Sequence, residues 1–180
     1  MSAHRFLHHV SCEVLALSFL FGSVQAAPLL ESVSPLSCRT GSQVTVKLNG
    51  KGLDKVEALV FSIRGVTAKR NADGTFVVSV AEDTRPQECD LWCLAAGGLS
   101  NPRRFVISDQ PTIAEVTGND TSAMAQAVSF PGAVDGRLEA AARLDWFQFE
   151  AKAGQLLTIS CRSRSLDGSA VPVLCSVEGG

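Results

Sequence analysis

The chain has 180 residues, of which 46% are hydrophobic and 19% are charged, and its formal net charge is −2 at pH 7. Folded proteins carry about 25% charged residues on average, so this is the composition of a lightly charged globular protein. Because the charges nearly balance and no basic block occurs, the sequence lacks the cationic surface that nucleic-acid binding requires. The length is enough for one medium domain or two small ones.

Residues 1–26 have the layout of a secretory signal peptide. A short cationic start containing Arg5 precedes the apolar run 14–21, and small residues stand at positions −3 and −1 of a cleavage site before Ala27. The apolar run is much shorter than the roughly 20 residues of a membrane-spanning helix, and no longer run follows. We therefore expect a secreted, extracytoplasmic chain (periplasm or cell surface) with no membrane span once the signal peptide is cleaved. The alternative is that this segment forms a buried N-terminal helix.

Cleavage at this site removes every histidine of the chain, because the three lie at His4, His8 and His9. The mature chain then has no Ser-His-Asp or Cys-His machinery and no histidine ligand for a metal. In addition, no serine lies in a Gly-x-Ser-x-Gly motif. We expect that the chain is not an enzyme and that any catalytic domain lies outside it.

Five cysteines remain after cleavage, and an oxidising compartment favours their pairing. The odd number implies a free thiol, a bond between chains, or a partner beyond the end of the chain. Cys89 and Cys93 lie four residues apart on a predicted strand, so their Cα atoms are about 13 Å apart and cannot be bridged. Cys161 and Cys175 lie on neighbouring predicted strands and are the best disulfide candidates. Cys38 with Cys89 or Cys93 is the second.

From residue 28 onward the sequence alternates between short strand patterns and turns. Alternating or β-branched runs predict strands at 44–48, 56–63, 75–80, 89–95 and 104–107. Turn residues separate them at Asn49-Gly50, Lys51-Gly52, Asn71–Gly74 and Gly97-Gly98. Six or seven short strands at about ten-residue spacing over residues 28–108 predict an immunoglobulin-like β-sandwich.

A polar stretch ending in proline, Ser108–Pro111, indicates a linker into a second block that extends from residue 109 to 180. This block contains one predicted helical turn at 122–127, a predicted turn into a strand at 134–138, and predicted strands at 144–151, 156–161 and 171–177. A single sheet of three or four short strands buries little core and leaves an open edge. We therefore expect an all-β chain whose second domain is incomplete.

Short motifs follow one another in a definite order in the second block. They are Glu115…Asn119-Asp120-Thr121, Ala125-Gln126, Val134-Asp135-Gly136-Arg137-Leu138, Asp145-Trp146-Phe147-Gln148-Phe149, Ala153-Gly154-Gln155 and Val171-Pro172-Val173-Leu174. Over residues 111–180 this order and spacing resemble the bacterial pre-peptidase C-terminal (PPC) domain, without the closing strands of that family. The resemblance implies a small, non-catalytic β-sandwich appended to secreted peptidases and other exported proteins, in some of which it is removed during maturation.

A second set of motifs lies in the first block. It comprises Val33-Ser34-Pro35-Leu36, Arg39-Thr40-Gly41, Asn49-Gly50-Lys51-Gly52-Leu53, Asp73-Gly74-Thr75-Phe76 and Gly98-Leu99-Ser100-Asn101-Pro102-Arg103. These motifs are similar to those of immunoglobulin-like repeats of the IPT/TIG type, which precede PPC domains in large secreted bacterial proteins. The resemblance implies an immunoglobulin-like module followed by a truncated PPC-like module.

One set of polar residues in the second block is a candidate calcium site: Glu115, Asn119, Asp120 and Asp145. Calcium requires six to eight oxygen ligands, and the Glu-x-x-x-Asn-Asp stretch can supply three. The set is similar to the acidic lead-in of the collagen-binding modules related to the PPC fold, which implies calcium as the cofactor. Thr117 and Arg143 stand where those modules have further acids, and both changes remove negative charge. The alternative is that these polar residues cap a turn or a short helix.

The two tryptophans, Trp92 and Trp146, lie in predicted strands. We expect both to be core residues, and the alternative is that they form exposed platforms for sugar rings. The sequence as a whole predicts a secreted, non-catalytic accessory or interaction module. Its partners are then extracellular polymers or other domains of a longer parent protein. Two other hypotheses remain: the N-terminal flank of a longer secreted peptidase, and a module that binds collagen or polysaccharide.

Overall fold

The computed structural model describes residues 25–136, 144–163, 166 and 175–177. The predicted signal peptide therefore lies outside the described residues, apart from its last two positions. Within the described parts of the chain, no helix has both the length and the apolar character needed to cross a membrane. Among the described residues the regular elements are strands, together with a short 3₁₀ turn at Ser122–Met124, so the predicted all-β fold class is confirmed.

The first nine strands cover the first block. They are β1 (Leu29–Ser34), β2 (Ser37–Arg39), β3 (Gln43–Lys51), β4 (Val56–Phe61), β5 (Val66–Arg70), β6 (Phe76–Val80), β7 (Gln87–Ala95), β8 (Gly98–Leu99) and β9 (Arg103–Ser108). Four more strands follow: β10 (Thr112–Ala114), β11 (Gln126–Ala127), β12 (Ala133–Asp135) and β13 (Phe147–Gln148).

Strands β1 to β9 form two sheets that enclose one hydrophobic core. One sheet has the order β1-β3-β6-β5, and the other has the order β2-β9-β7-β4 with β8 added to β7. All of these pairs are antiparallel except β2 with β9. The core takes residues from both sheets, among them Leu30, Val46, Phe76, Leu91, Phe105 and Ile107. This arrangement is a β-sandwich.

The five strands predicted in this block are present, each within a few residues of its expected bounds. Strands β1, β2, β5 and β8 were not predicted. In β1 the alternation is interrupted by a bulge between Leu30 and Ser32, which hides the strand pattern. In β5 only Val66 is buried, because this strand lies at the edge of its sheet.

The predicted turn at Asn49-Gly50 is wrong, since both residues lie inside β3. A Cβ atom on Gly50 would lie 2.0 Å from the carbonyl oxygen of Leu29 on the paired strand. Glycine is thus required here for the close approach of two strands. The chain turns further on, where Gly52 has a φ of +68°.

Asn101, in the loop between β8 and β9, fastens the edge strand β1 to the opposite sheet. Its Oδ1 accepts a hydrogen bond from the backbone N–H of Leu30, and its Nδ2 donates one to the carbonyl oxygen of Leu30, both at 2.8 Å. The neighbouring Ser100 hydroxyl accepts from the N–H of Cys93 at 2.9 Å and donates to the Asn101 carbonyl at 2.7 Å. One short loop therefore connects both sheets.

The second block forms two short parallel pairs, β10 with β12 and β11 with β13. The predicted turn at Lys152–Gln155 is confirmed by a 2.9 Å backbone hydrogen bond. The predicted strand at 156–161 is wrong: these residues lie in no strand, and Leu156 is 94% exposed. An alternating apolar segment becomes a strand only beside a partner strand, and no described strand pairs with this one. Of the predicted strand 171–177, residues 171–174 lie outside the described residues, and 175–177 are not in a strand.

Candidate functional site

The structure brings together two of the four predicted calcium ligands. Asn119 is 3% exposed, and its Nδ2 lies 3.4 Å from Oε1 of Glu115 and 3.3 Å from the carbonyl oxygen of Trp146. The Trp146 N–H in turn donates to the Asn119 carbonyl at 2.8 Å. Asn119 thus directs its donor, and not its oxygen, towards the carboxylate. It ties the start of the second block to the segment around Trp146.

The other two predicted ligands do not complete a site with this pair. Asp120 is exposed and Asp145 is half-buried, and both take part in interactions of their own. Among the residues that the structure describes, no three His, Cys, Asp or Glu side chains form a group that could hold a metal ion. Thr121, at the start of the 3₁₀ turn, makes no side-chain capping bond. The calcium site stays a prediction.

An acid that the sequence analysis did not single out, Asp135, joins the two blocks. Its carboxylate accepts hydrogen bonds from the backbone N–H groups of Leu36 and Ser37, at the start of β2. Close by, the hydroxyl oxygens of Ser37 and Thr112 lie 2.9 Å apart. These contacts link strands β2, β10 and β12 into one junction. No local pattern could have revealed it, because Leu36 and Asp135 are 99 residues apart in the chain.

The surroundings of Asp135 at this junction raise the pKa of its carboxyl group. Burial raises the pKa of its carboxyl group, the hydrogen bonds from Leu36 and Ser37 lower it, and the charge of Glu115 raises it again. Glu115 comes this close because the facing residue is Gly136, where a Cβ atom would lie 2.6 Å from Oε2 of Glu115. The two backbone hydrogen bonds to Asp135 therefore hold the junction against the repulsion between the two acids.

Three thiols, which we name the core thiols, lie buried in the sandwich: Cys38, Cys89 and Cys93. Strand β9 separates β2 from β7, so Cys38 is about 10 Å or more from the other two, too far for a disulfide. The second predicted pairing is therefore wrong. Burial raises the pKa of Cys89 and of Cys93 to about 11 and also raises that of Cys38, where a hydrogen bond with Ser42 lowers it in part. Buried, protonated thiols are inert as nucleophiles.

The remaining two, the exposed thiols Cys161 and Cys175, are also free. Their predicted disulfide is not formed in the structure. The prediction placed them on neighbouring strands, but neither residue lies in a strand.

The outer face of the five-stranded sheet breaks the usual pattern of a sandwich. An antiparallel sheet that packs on one side normally presents polar residues on the other. Here the outward positions near β8 are apolar, and we name them the Trp92 face: Ala58, Val60, Trp92, Leu94 and Leu99. Val60 and Leu94 are each 37% exposed and Leu99 is 51% exposed, so this surface is accessible to solvent.

Strand register makes the Trp92 face continuous. Val60 lies directly opposite Trp92, and Leu94 lies opposite Ala58 on one side and Leu99 on the other. Side chains at such positions touch across the strands. From strand spacing and rise, the patch measures about 14 Å in each direction.

Charged pairs border the Trp92 face along β7. Arg104 Nη1 lies 3.0 Å from Asp90 Oδ1, two residues before Trp92 on the same face. Glu88, the next outward residue, forms an ion pair with Arg162 of the second block. Each of these acids thus has a cation beside it, and the border offers both hydrogen-bond donors and acceptors.

The other sheet of the sandwich does not share this character. Its outward residues are mainly polar, with Leu29 and Val77 as apolar exceptions, and include Gln43, Thr45, Lys47, Thr67, Lys69 and Ser79. This clustering of apolar outward residues is therefore specific to one sheet.

The expectation that Trp92 is a core residue is wrong. In β7 the inward positions are occupied by Cys89, Leu91, Cys93 and Ala95, which leaves Trp92 half-buried on the outer face. Both sets of alternating residues in this strand contain apolar side chains, so the sequence could not show which set faces inward. Trp146 is half-buried in the second block.

No protein-family model matches the chain, and no curated protein matches it. Several solved structures are similar to part of it. They include the gamma-CGTase from alkalophilic Bacillus clarkii, with 17% identity, a TM-score of 0.37, and coverage of 56% of this chain and 16% of that one. SGBP-B of the Bacteroides ovatus mixed-linkage glucan utilization locus, solved with a mixed-linkage heptasaccharide, shares 13% identity at a TM-score of 0.31, over 51% and 23% of the two chains.

The Yersinia pseudotuberculosis adhesin InvE shares 14% identity at a TM-score of 0.29, over 47% of this chain and 27% of its own. Each match thus involves less than a third of the longer protein. A similarity of this size does not transfer the activity or ligand of any of these proteins to the present chain.

Proposed function

We propose that the chain is an exported, non-catalytic interaction module that binds its partner through the Trp92 face. The observation that carries this proposal is the contrast between the two outer faces of the sandwich. One is mainly polar, and the other presents a half-buried tryptophan beside exposed aliphatic side chains. A partner that covers these side chains removes apolar surface from water, which favours binding.

The residues available for chemistry support the non-catalytic part of the proposal. All three histidines lie within the first nine residues, upstream of the predicted cleavage site. The core thiols are buried and have raised pKa values. The carboxyl group of Asp135, whose pKa is raised, accepts hydrogen bonds from backbone N–H groups at the junction.

The start of the fold supports export. Pro28 is the first buried residue that the structure describes, and Ala27 before it is exposed. Cleavage before Ala27 therefore removes no described residue that is buried in the sandwich.

The test is to express the whole chain in a bacterium, recover it by cell fractionation, and determine its N-terminus by mass spectrometry. We expect a chain beginning at Ala27 outside the cytoplasm. Recovery from the cytoplasm with residues 1–26 attached would overturn the export part of the proposal.

The binding part is tested by retention of the exported chain on insoluble collagen and insoluble polysaccharides. We expect retention on one of these polymers, a loss in Trp92→Ala, and no change in Val77→Ala. Val77 is the matched control because it is a half-buried apolar residue on the outer face of the other sheet. Equal retention of both variants would refute the assignment of the binding surface.

A further inference from the structure

The Trp92 face has properties that point to one class of partner. Resting on the function proposed above, we infer that it binds a neutral polysaccharide chain, with a sugar ring stacked on Trp92 and sugar hydroxyls held by Asp90 and Arg104. A pyranose ring has C–H groups on its two faces and hydroxyls around its edge. An apolar platform with a polar border is complementary to both.

The size of the face argues against a folded protein partner. The patch covers about 200 Å² by strand spacing and rise. A stable protein interface buries about 800 Å² on each partner. An extended polymer chain contacts only a few side chains at a time, so a patch of this size is sufficient for it.

The charges argue against an ionic ligand. Asp90 and Arg104 are 3.0 Å apart and compensate each other, as do Glu88 and Arg162. Aromatic platforms for single-stranded nucleic acid lie in positively charged grooves, and this border has no such excess of cations. The same balance gives no attraction for an anionic polysaccharide, whereas a neutral chain needs only the donors and acceptors that the pair presents.

The residues of the proposed site have different roles in sugar binding. Trp92 lies at the end of the patch that borders Asp90, with Val60 opposite it and Leu94 two residues further on, so a ring placed on it has aliphatic side chains on two sides. Asp90 lies two residues away on the same face of β7, with Arg104 opposite it. We therefore place a hydroxyl at the edge of the stacked ring beside one acceptor, the Asp90 carboxylate, and one donor, the Arg104 guanidinium.

Trp92 and Trp146 are the two tryptophans of the chain, and this allows a direct readout. In a Trp146→Phe background the emission comes from Trp92 alone. The exported chain is titrated with hydroxyethyl cellulose, soluble starch, the anionic polymer polygalacturonate, and soluble collagen. We expect a saturable change of emission with a neutral polysaccharide and none with polygalacturonate.

Variants separate the contributions of the platform and its border. Affinity electrophoresis, which needs no tryptophan signal, should show at least a tenfold loss of affinity in Trp92→Ala and a threefold to tenfold loss in Arg104→Gln. The matched control Val77→Ala should bind normally. Far-UV circular dichroism checks that each variant is folded. If Trp92→Ala does not fold, Trp92→Phe replaces it in the test; this variant keeps an aromatic ring and should retain part of the affinity.

Two results would overturn the inference, and they differ in what they leave standing. Binding of collagen that depends on Trp92, without binding of any neutral polysaccharide, refutes the glycan ligand but leaves the interaction module in place. Binding that is unchanged in both Trp92→Ala and Arg104→Gln refutes the ligand and the proposed surface together.

Discussion

The bridge from Asn101 to β1 allows a quantitative test of how the sandwich is held together. Its side chain satisfies both backbone groups of Leu30, at 2.8 Å each, and Leu30 is fully buried. Asn101→Ala leaves one buried N–H and one buried carbonyl without a partner. An unsatisfied buried group costs about 1–3 kcal/mol.

Because Asn101 is itself half-buried, water can restore part of the loss, and we expect the free energy of unfolding to fall by about 2–4 kcal/mol. That is a large part of the roughly 5–15 kcal/mol that a folded domain has in total. The matched control is Asn49→Ala, which removes the same atoms from an exposed position of β3. Its effect should lie within about 0.5 kcal/mol.

The assay is equilibrium unfolding in urea, followed by far-UV circular dichroism. With a slope of about 2 kcal/mol per molar urea, the midpoint of Asn101→Ala should fall by about 1–2 M. Asn101→Asp keeps the acceptor but places a carboxylate against the Leu30 carbonyl, so it should be destabilised at pH 7 and partly recover at acidic pH. If Asn101→Ala and Asn49→Ala unfold at the same urea concentration, this account of the bridge is refuted.

Three other predictions concern the thiols, the junction and calcium. At pH 8, a thiol reagent such as DTNB should modify the exposed thiols in the native chain and the core thiols only after denaturation. Burial blocks access of the reagent to the core thiols. In addition, a pKa of about 11, against 9.0 for a free thiol, lowers the thiolate fraction of Cys89 and Cys93 about a hundredfold. Rapid reaction of all five thiols in the native chain would contradict this. At the junction, Asp135→Ala should lower the free energy of unfolding by about 1–3 kcal/mol. Asp135→Asn keeps an acceptor and buries no charge, so at pH 7 its free energy of unfolding should be equal to or greater than that of the wild type. The folded-state pKa of Asp135 is raised above 3.8, so the stability linked to its protonation is fully present below pH 3.8 and is lost as the pH rises through the raised value. The difference in free energy of unfolding between wild type and Asp135→Asn should therefore narrow on acidification. A difference that widens would refute the direction of this pKa shift. Millimolar Ca²⁺ should leave the thermal midpoint unchanged, since Asn119 directs its donor at Glu115, and a rise of several degrees would instead support the calcium site.

Alternation and turn chemistry were enough to predict most of the sandwich. Strand β3, for example, alternates apolar and polar residues from Val44 to Leu48, and this signal depends only on neighbours in the chain. The same signal failed at residues 156–161, where the pattern is present but the structure provides no partner strand. Strand pairing requires two segments, and the pattern of one segment does not show whether a partner strand will lie beside it.

The candidate surface illustrates the same limit. The sequence identified Trp92 and placed it in a strand, but β7 has apolar residues in both alternating sets, and only packing decides which set faces the core. Likewise, the sequence located Glu115 and Asn119 but not the role of Asp135, whose hydrogen-bond partner is 99 residues away.

By itself, then, the sequence determined the all-β class, the position of most strands of the sandwich, and the absence of histidine downstream of the predicted cleavage site. Tertiary structure alone decided which face of β7 is exposed, which strand approaches Gly50, and which polar groups meet at the junction. The physical reason is that periodicity, composition and turn preference are local properties of a chain. Burial, strand register and hydrogen bonding between distant residues exist only after the chain has folded.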